Sequence, residues 1–233
     1  MCGRYVAADD PHYLAQLFEA TETDIAVLPP NYNVAPTQQV YVVDELSGQR
    51  QLRIVNWGLV PKWAKDSSGA ARLINARSDT VAQKPSFRQA FAATRCLIPV
   101  TGWYEWQTVG VDEKAPKQPF YIHGANTPTL AIAGLLEAWK QPETGQWLRT
   151  SSIITTDASS DIAQVHNRMP VLLEKSEWAT WLNPAIGKTS DDLELLQSYL
   201  HPAPLGTVVI DKVATAVNSI RNNGPEMITP IPR

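Results

Sequence analysis

The apolar positions of this chain follow two different periods, and the two come in separate runs. Leu14, Leu17 and Phe18 recur at i, i+3, i+4 behind Asp9-Asp10-Pro11, an N-cap with a first-turn proline, which predicts a short amphipathic helix over 10–20. β-rich runs at 40–44 and 52–57, separated by Ser47-Gly48, predict a hairpin, and a loop over 57–63 follows with two aromatics, Trp57 and Trp63. Residues 79–93 suit a helix but are interrupted at Pro85, which leaves Ser86 to cap a short helix over 87–92. Further strand-like runs stand at 97–106, 119–122, 129–135, 152–156, 171–173 and 208–213. Short helices are expected at 160–164, at 177–182 behind a Ser176 cap, and at 191–199. Strands that come in runs, without strict alternation with helices, predict an α+β fold. It is expected to be a single domain over 1–233, built on a curved, largely antiparallel sheet with a barrel-like core and short flanking helices.

Composition narrows the class. With 233 residues and 44% hydrophobic content the chain can bury a sizeable core, and eight Trp and eighteen Pro against twelve Gly describe many loops held on a packed body. Two cysteines argue against a disulfide framework, and Cys96 sits in the apolar run Cys96-Leu97-Ile98-Pro99-Val100, where a buried thiol in a reducing compartment is expected. No charged-then-apolar leader is legible and no apolar run approaches the ~18 residues of a membrane span, so the expectation is a cytoplasmic protein with no membrane partner. Cys2, Cys96 and the four His lack CxxC or HxxxH spacing, and there is no glycine-rich phosphate loop or GxSxG elbow, so neither a metal nor a cofactor is expected.

Net charge is −3, but the average conceals an asymmetry. Between 50 and 100 there are nine Lys or Arg (Arg50, Arg53, Lys62, Lys65, Arg72, Arg77, Lys84, Arg88, Arg95) against Asp66 and Asp79 only. Such a stretch is expected where a protein grips an anion on one face, or on an ordinary solvated surface.

The candidate chemistry begins at Met1-Cys2-Gly3-Arg4. An initiator Met before a residue as small as Cys is normally trimmed, which leaves Cys2 with a free α-amine beside its thiol. That 1,2-aminothiol captures aldehydes, the amine as an imine and the thiol by closing a five-membered thiazolidine. Glu105 stands inside the aromatic run Gly102-Trp103-Tyr104-Glu105-Trp106, where an apolar setting raises a carboxylate toward the range of a general acid or base. Strand alternation puts Trp103 and Glu105 on one face and Tyr104 and Trp106 on the other. His166 follows a predicted helix and precedes the extended exit to Pro170, a loop position that can face a cleft. Taken singly, each has a plain structural account: a frayed terminus, a rim salt bridge, a surface loop.

Together these segments resemble the SOS-response-associated peptidase (SRAP) family, proteins that shield abasic sites in single-stranded DNA. The likeness spans essentially the whole chain through Met1-Cys2-Gly3-Arg4, Tyr32-Asn33-Val34-Ala35-Pro36, Trp57-Gly58-Leu59-Val60-Pro61, Asn75-Ala76-Arg77, Gly102-Trp103-Tyr104-Glu105-Trp106 and His166-Asn167-Arg168-Met169-Pro170, while 108–118 and the C-terminal region look generic. The resemblance implies a monomer that binds single-stranded DNA at an abasic site and crosslinks to its ring-opened aldehyde. Cys2 would form the thiazolidine, Asn75 would bond near the reacting terminus, Glu105 would move protons at the amine, and His166 would protonate the sugar ring oxygen. Arg77 would hold a flanking phosphate, Arg4, Lys62 and Arg72 would follow the backbone, and Trp57 or Trp63 would stack on a base. Replication or repair proteins are further partners that the likeness leaves open. Two other readings use the same residues: a thiol peptidase, whose narrowest form only removes Met1, and a single-strand binder with no covalent step.

Overall fold

Tyr5 lies opposite both Val34 and Trp103, so the amino-terminal strand is interior to a sheet. The computed structural model describes residues 2–22, 26–108 and 117–232. Its elements begin with β1 (Tyr5–Ala7), α1 (Pro11–Phe18), β2 (Thr21–Glu22), β3 (Asn31–Val34), the hairpin β4 (Gln39–Leu46) and β5 (Gln49–Trp57), and β6 (Asn75–Arg77). α2 (Arg88–Ala93), β7 (Arg95–Val100), β8 (Gly102–Thr108), β9 (Lys117–Gly124), β10 (Leu130–Lys140), β11 (Trp147–Asp157) and β12 (Arg168–Pro170) follow. α3 (Lys175–Leu182), α4 (Ser190–Ser198) and β13 (Val208–Lys212) complete the described strands and α-helices.

One sheet has the order β13-β9-β8-β1-β3 and the other β12-β11-β10-β7-β4-β5-β2. β11 also pairs in parallel with β5, Thr150 opposite Asn56 and Ser151 opposite Trp57, which closes β5-β4-β7-β10-β11 into a five-strand barrel. The fold is α+β with mostly antiparallel pairing, as the runs of strands predict.

Strand alternation divides the core. Val43, Leu97, Ala133 and Ile154 pack with Leu14, Phe18, Phe91, Trp178 and Trp181 under the helices. Their neighbours Val42, Cys96, Ile132 and Ile153 pack with Cys2, Tyr5, Trp57, Trp103 and Ile122 toward the smaller sheet. Each fully buried aliphatic or aromatic side chain contributes about 1.5–3 kcal/mol, so the second group anchors the amino terminus firmly between the two sheets. Caps set the helix ends. Asp10 accepts from the His12 amide ahead of α1, Glu174 and Glu177 form a capping box on α3, and Thr189 and Asp192 form another on α4.

Several expectations need correction. The predicted strand over 97–106 is two strands in different sheets, parted at Thr101; at Gly102 a Cβ would lie 2.5 Å from the Ile122 carbonyl oxygen and the Tyr121 ring, so only glycine lets the crossing chains approach. The expected helix at 160–164 is a succession of turns. The helix behind Pro85 starts at Arg88, and Ser86 does not cap it. The cap of α3 is Glu174, not Ser176. The strand expected at 171–173 stands at Arg168–Pro170.

Candidate active site at the amino terminus

Cys2, Asn75, Glu105 and His166 come from four separate parts of the chain, and the sheets bring them together. β6 attaches to β11 with Asn75 opposite Ile153, and there the Asn75 side-chain amide donates to the Cys2 carbonyl at 2.7 Å. The other end of that amide, Oδ1, is buried without a hydrogen-bond partner among the described residues. Cys2 itself is fully buried, its thiol 3.9 Å from the Arg4 carbonyl. Burial and then the neighbouring Glu105 charge push that thiol well above its ordinary range.

Glu105 arrives on β8, on the same face as Trp103, as alternation predicts. It is buried, and desolvation raises its carboxyl from the ordinary 4.5 to about 7. His166 Nε2 stands 3.9 Å from Glu105 Oε2, close but longer than a hydrogen bond. His166 Nδ1 lies 2.9 Å from the Arg168 amide and 3.1 Å from the Arg168 carbonyl oxygen, so residue 168 fixes the ring's orientation; in the tautomer that accepts from the amide, the ring proton is on Nε2, facing the carboxylate. Burial is the main cause that lowers the His166 pKa, so the imidazole is neutral at physiological pH. The site therefore holds a protonatable carboxyl poised near neutrality beside a neutral imidazole, an arrangement suited to proton transfer.

The family model described as SOS response associated peptidase (SRAP) matches residues 1–220. The chain belongs to the SRAP family. The abasic site processing protein YoqW of Bacillus subtilis is 36% identical over 98% of this chain and 99% of its own length. The abasic site processing protein HMCES of Gallus gallus is 32% identical over 87% of this chain and 66% of its own. Among solved structures, a protein from Bacteroides thetaiotaomicron superposes with a TM-score of 0.86 at 26% identity, covering 99% of this chain and 100% of that one.

The residues expected to line the nucleic acid are arranged less simply in this SRAP chain. Trp57 is fully buried, packed edge-on against Tyr5 at 4.8 Å with Nε1 donating to the Ile74 carbonyl at 3.0 Å, so the expectation that it stacks on a base is corrected. Trp63 is 65% exposed and lines a cleft of about 330 Å3 with Lys65 and Arg72. Arg72 ends the 3-10 turn that precedes Asn75, which ties this cleft to the site along the chain. Lys62 is half-exposed, with Nζ 3.3 Å from Oε1 of the buried Glu137; Trp139 on the same strand donates to the Ala64 carbonyl at 2.8 Å. Both contacts brace the loop that presents Trp63. Arg77 is paired with Asp79 through two contacts of 3.1 and 2.8 Å. Arg4 donates to Asn33 at 2.7 Å and to the Val217 carbonyl at 3.1 Å, and lies over the Trp106 ring.

The basic stretch is thus no single positive face. Arg50 donates to the Phe18 carbonyl, Arg53 pairs with Asp44, and Arg95 is buried with its guanidinium on the carbonyls of Phe91, Trp181, Asn183 and Ile186. Sequence reasoning missed Asn33 and Arg168. Asn33 donates to the carbonyls of Val217, Ser219 and Asn222, so the C-terminal region that looked generic braces Arg4. Arg168 clamps the Thr155 carbonyl and Asp157 while its amide orients His166. Their place in the Asn33 and Arg168 motifs was the available signal. Among the described residues no His, Cys, Asp and Glu group could hold a metal, and no helix is long and apolar enough to cross a membrane.

Proposed function

We propose that this protein processes abasic sites in single-stranded DNA by covalent capture of the ring-opened sugar. The observation that carries the reading is the convergence of Cys2 with a carboxyl raised to about 7, a neutral His166 and the Asn75 amide. Family membership and relatives named for abasic site processing support it. Once Met1 is removed, the α-amine of Cys2 adds to the aldehyde carbon and water leaves, giving an imine. The thiol sulfur then bonds to the imine carbon and its proton ends on the nitrogen, so the thiazolidine forms with the net loss of one water.

Each neighbour has a task in that sequence. Glu105, close to half-ionised at neutral pH, accepts a proton from the attacking amine and returns one to the departing oxygen. His166 Nε2–H protonates the sugar ring oxygen as the ring opens. Asn75 holds the Cys2 carbonyl with Nδ2 and offers Oδ1 to the sugar or the new amine. Trp63, Lys65 and Arg72 take the flanking strand, with Arg77 released from Asp79 onto a phosphate. A peptidase acting through a Cys2 thiolate fits less well, because nucleophilic cysteines work with lowered pKa values and this thiol is raised.

The test is incubation with a single-stranded oligonucleotide carrying one abasic site, followed by a denaturing gel. A covalent band is expected from the processed protein and none from Cys2→Ala or from protein whose Met1 is retained by an extra preceding residue. Equal crosslinking by Cys2→Ala would end the proposal.

A further inference from the structure

The sheet face that carries Glu105 continues past the acid–base pair. Directly opposed residues of an antiparallel pair share a face, and the register sets Phe120 of β9 opposite Glu105 and Lys212 of β13 opposite Phe120. The result is one transverse row running outward from the site. Ile122 and Ile210 form the next row, level with Trp103, and Gln107 lies two residues beyond Glu105 on the same face of β8. The segment that leads into His166 walls this surface, held by a 2.7 Å hydrogen bond from Gln107 Nε2 to the Gln164 carbonyl. Between wall and sheet lies a cleft of about 460 Å3, lined by Gln107, Phe120, Gln164, Val165, Ile210 and Lys212.

None of these side chains has a part in the bond-forming chemistry. An aromatic ring, an ammonium group and side-chain amides are nonetheless the set that matches a nucleotide, through its base face, its phosphate and its base edges. Position points the same way. The Trp63 cleft is lined by Arg72 and Leu73, which precede Asn75 in the chain, whereas this one is lined by Phe120, opposite Glu105, and by Val165, next to His166, so the two clefts belong to different segments of the site.

We propose that this second cleft is a nucleotide subsite, seating the residue that flanks the abasic sugar on the side away from Trp63, with Phe120 against the base and Lys212 on the phosphate. It rests on the abasic-site reading above. The occupant is part of the substrate strand itself, and the cleft sets how strongly the protein prefers lesions with nucleotides on both sides.

The experiment compares three single-stranded oligonucleotides, with the abasic site flanked on both sides, only on its 5′ side or only on its 3′ side. Half-saturating DNA concentration and maximal crosslink yield are measured for the full chain and for Phe120→Leu and Lys212→Ala, with thermal unfolding as the check on folding. On the doubly flanked strand Phe120→Leu is expected to raise the half-saturating concentration about five-fold or more, at unchanged yield and thermal midpoint. Lys212→Ala is expected to flatten the log–log salt dependence by about 0.7. Both effects should vanish on one singly flanked strand and persist on the other, which assigns the polarity. Variants equal to the unaltered chain on the doubly flanked strand, or equally impaired on both singly flanked ones, overturn the subsite while leaving crosslinking in place. No crosslink from the unaltered chain, or an undiminished one from Cys2→Ala, removes the abasic-site reading and the subsite with it.

Discussion

The Asn75 side chain holds the Cys2 carbonyl at 2.7 Å across 73 residues of sequence, and this bond places the amino-terminal segment against β6. Asn75 does so from a strand that pairs in parallel with β11, so its position is set by the barrel and not by a flexible loop. Asn75→Ala removes one donor, about 1 kcal/mol of positioning, and is expected to slow crosslinking about five-fold or more. Single-turnover rates at saturating DNA measure this. A rate equal to that of the unaltered chain would show that the Cys2 carbonyl needs no tether.

Glu105 ties the proposed proton transfer to stability. Its carboxyl is raised by burial from 4.5 to about 7, so the folded state holds its proton where the unfolded state has lost it. The resulting stability is fully present below about pH 4.5 and is lost as pH rises through about 7. Glu105→Gln should therefore flatten the pH dependence of the melting temperature across that window and be the more stable form at pH 8. It should also remove the part of the crosslinking pH profile that titrates near 7, leaving that of the Cys2 α-amine at ~7.7–8.0. Melting curves at several pH values, run beside rate profiles, decide both points.

Trp57 and Trp63 stand six residues apart and are expected to respond in opposite ways. Trp57→Ala opens a cavity under Tyr5 and removes one of the two donors to the Ile74 carbonyl, which keeps the Ile153 amide, at a cost of about 3–5 kcal/mol in denaturant unfolding. Trp63→Ala should leave unfolding unchanged and weaken binding to single-stranded DNA by about 1–3 kcal/mol. A binding loss for Trp63→Ala that matched an equal loss of stability would place it in the fold instead.

On the proposed function, Asp79 competes with phosphate for Arg77. Their paired contacts are exposed and worth little to the fold, so Asp79→Asn is expected to leave thermal unfolding unchanged and to tighten binding to single-stranded DNA by about two- to five-fold. Fluorescence anisotropy with a labelled oligonucleotide at fixed salt is the measurement. Weaker binding would mean that the pair presents Arg77 in its working position.

Lys62 and Glu137 brace the Trp63 loop from beneath. Lys62→Ala leaves a buried carboxyl without its cation and is expected to cost about 1 kcal/mol of stability, since Lys62 is itself half-exposed. Glu137→Gln in the same background should restore part of that loss, because the uncompensated charge goes with it. Denaturant titration of the two variants and their combination measures the coupling.

Much was legible along the chain, and the reason is local. The α1 cap, the β4–β5 hairpin and the run of strands each announce themselves through periodicity and turn chemistry that act within a few residues. So did the chemical character of Cys2 and Glu105, since an aminothiol and a carboxyl among aromatics are defined by their nearest neighbours. Three-residue strands such as β1, β6 and β12 carry too little period to be read, yet they deliver Tyr5, Asn75 and Arg168 to their places. Only the tertiary structure decided which of two similar tryptophans is buried, which arginines of the basic stretch are held on backbone carbonyls, and that Glu105, His166 and Asn75 meet at Cys2. Those outcomes depend on pairings between segments up to about a hundred residues apart, such as β11 with β5 and β6, and no local pattern encodes the partner of a strand.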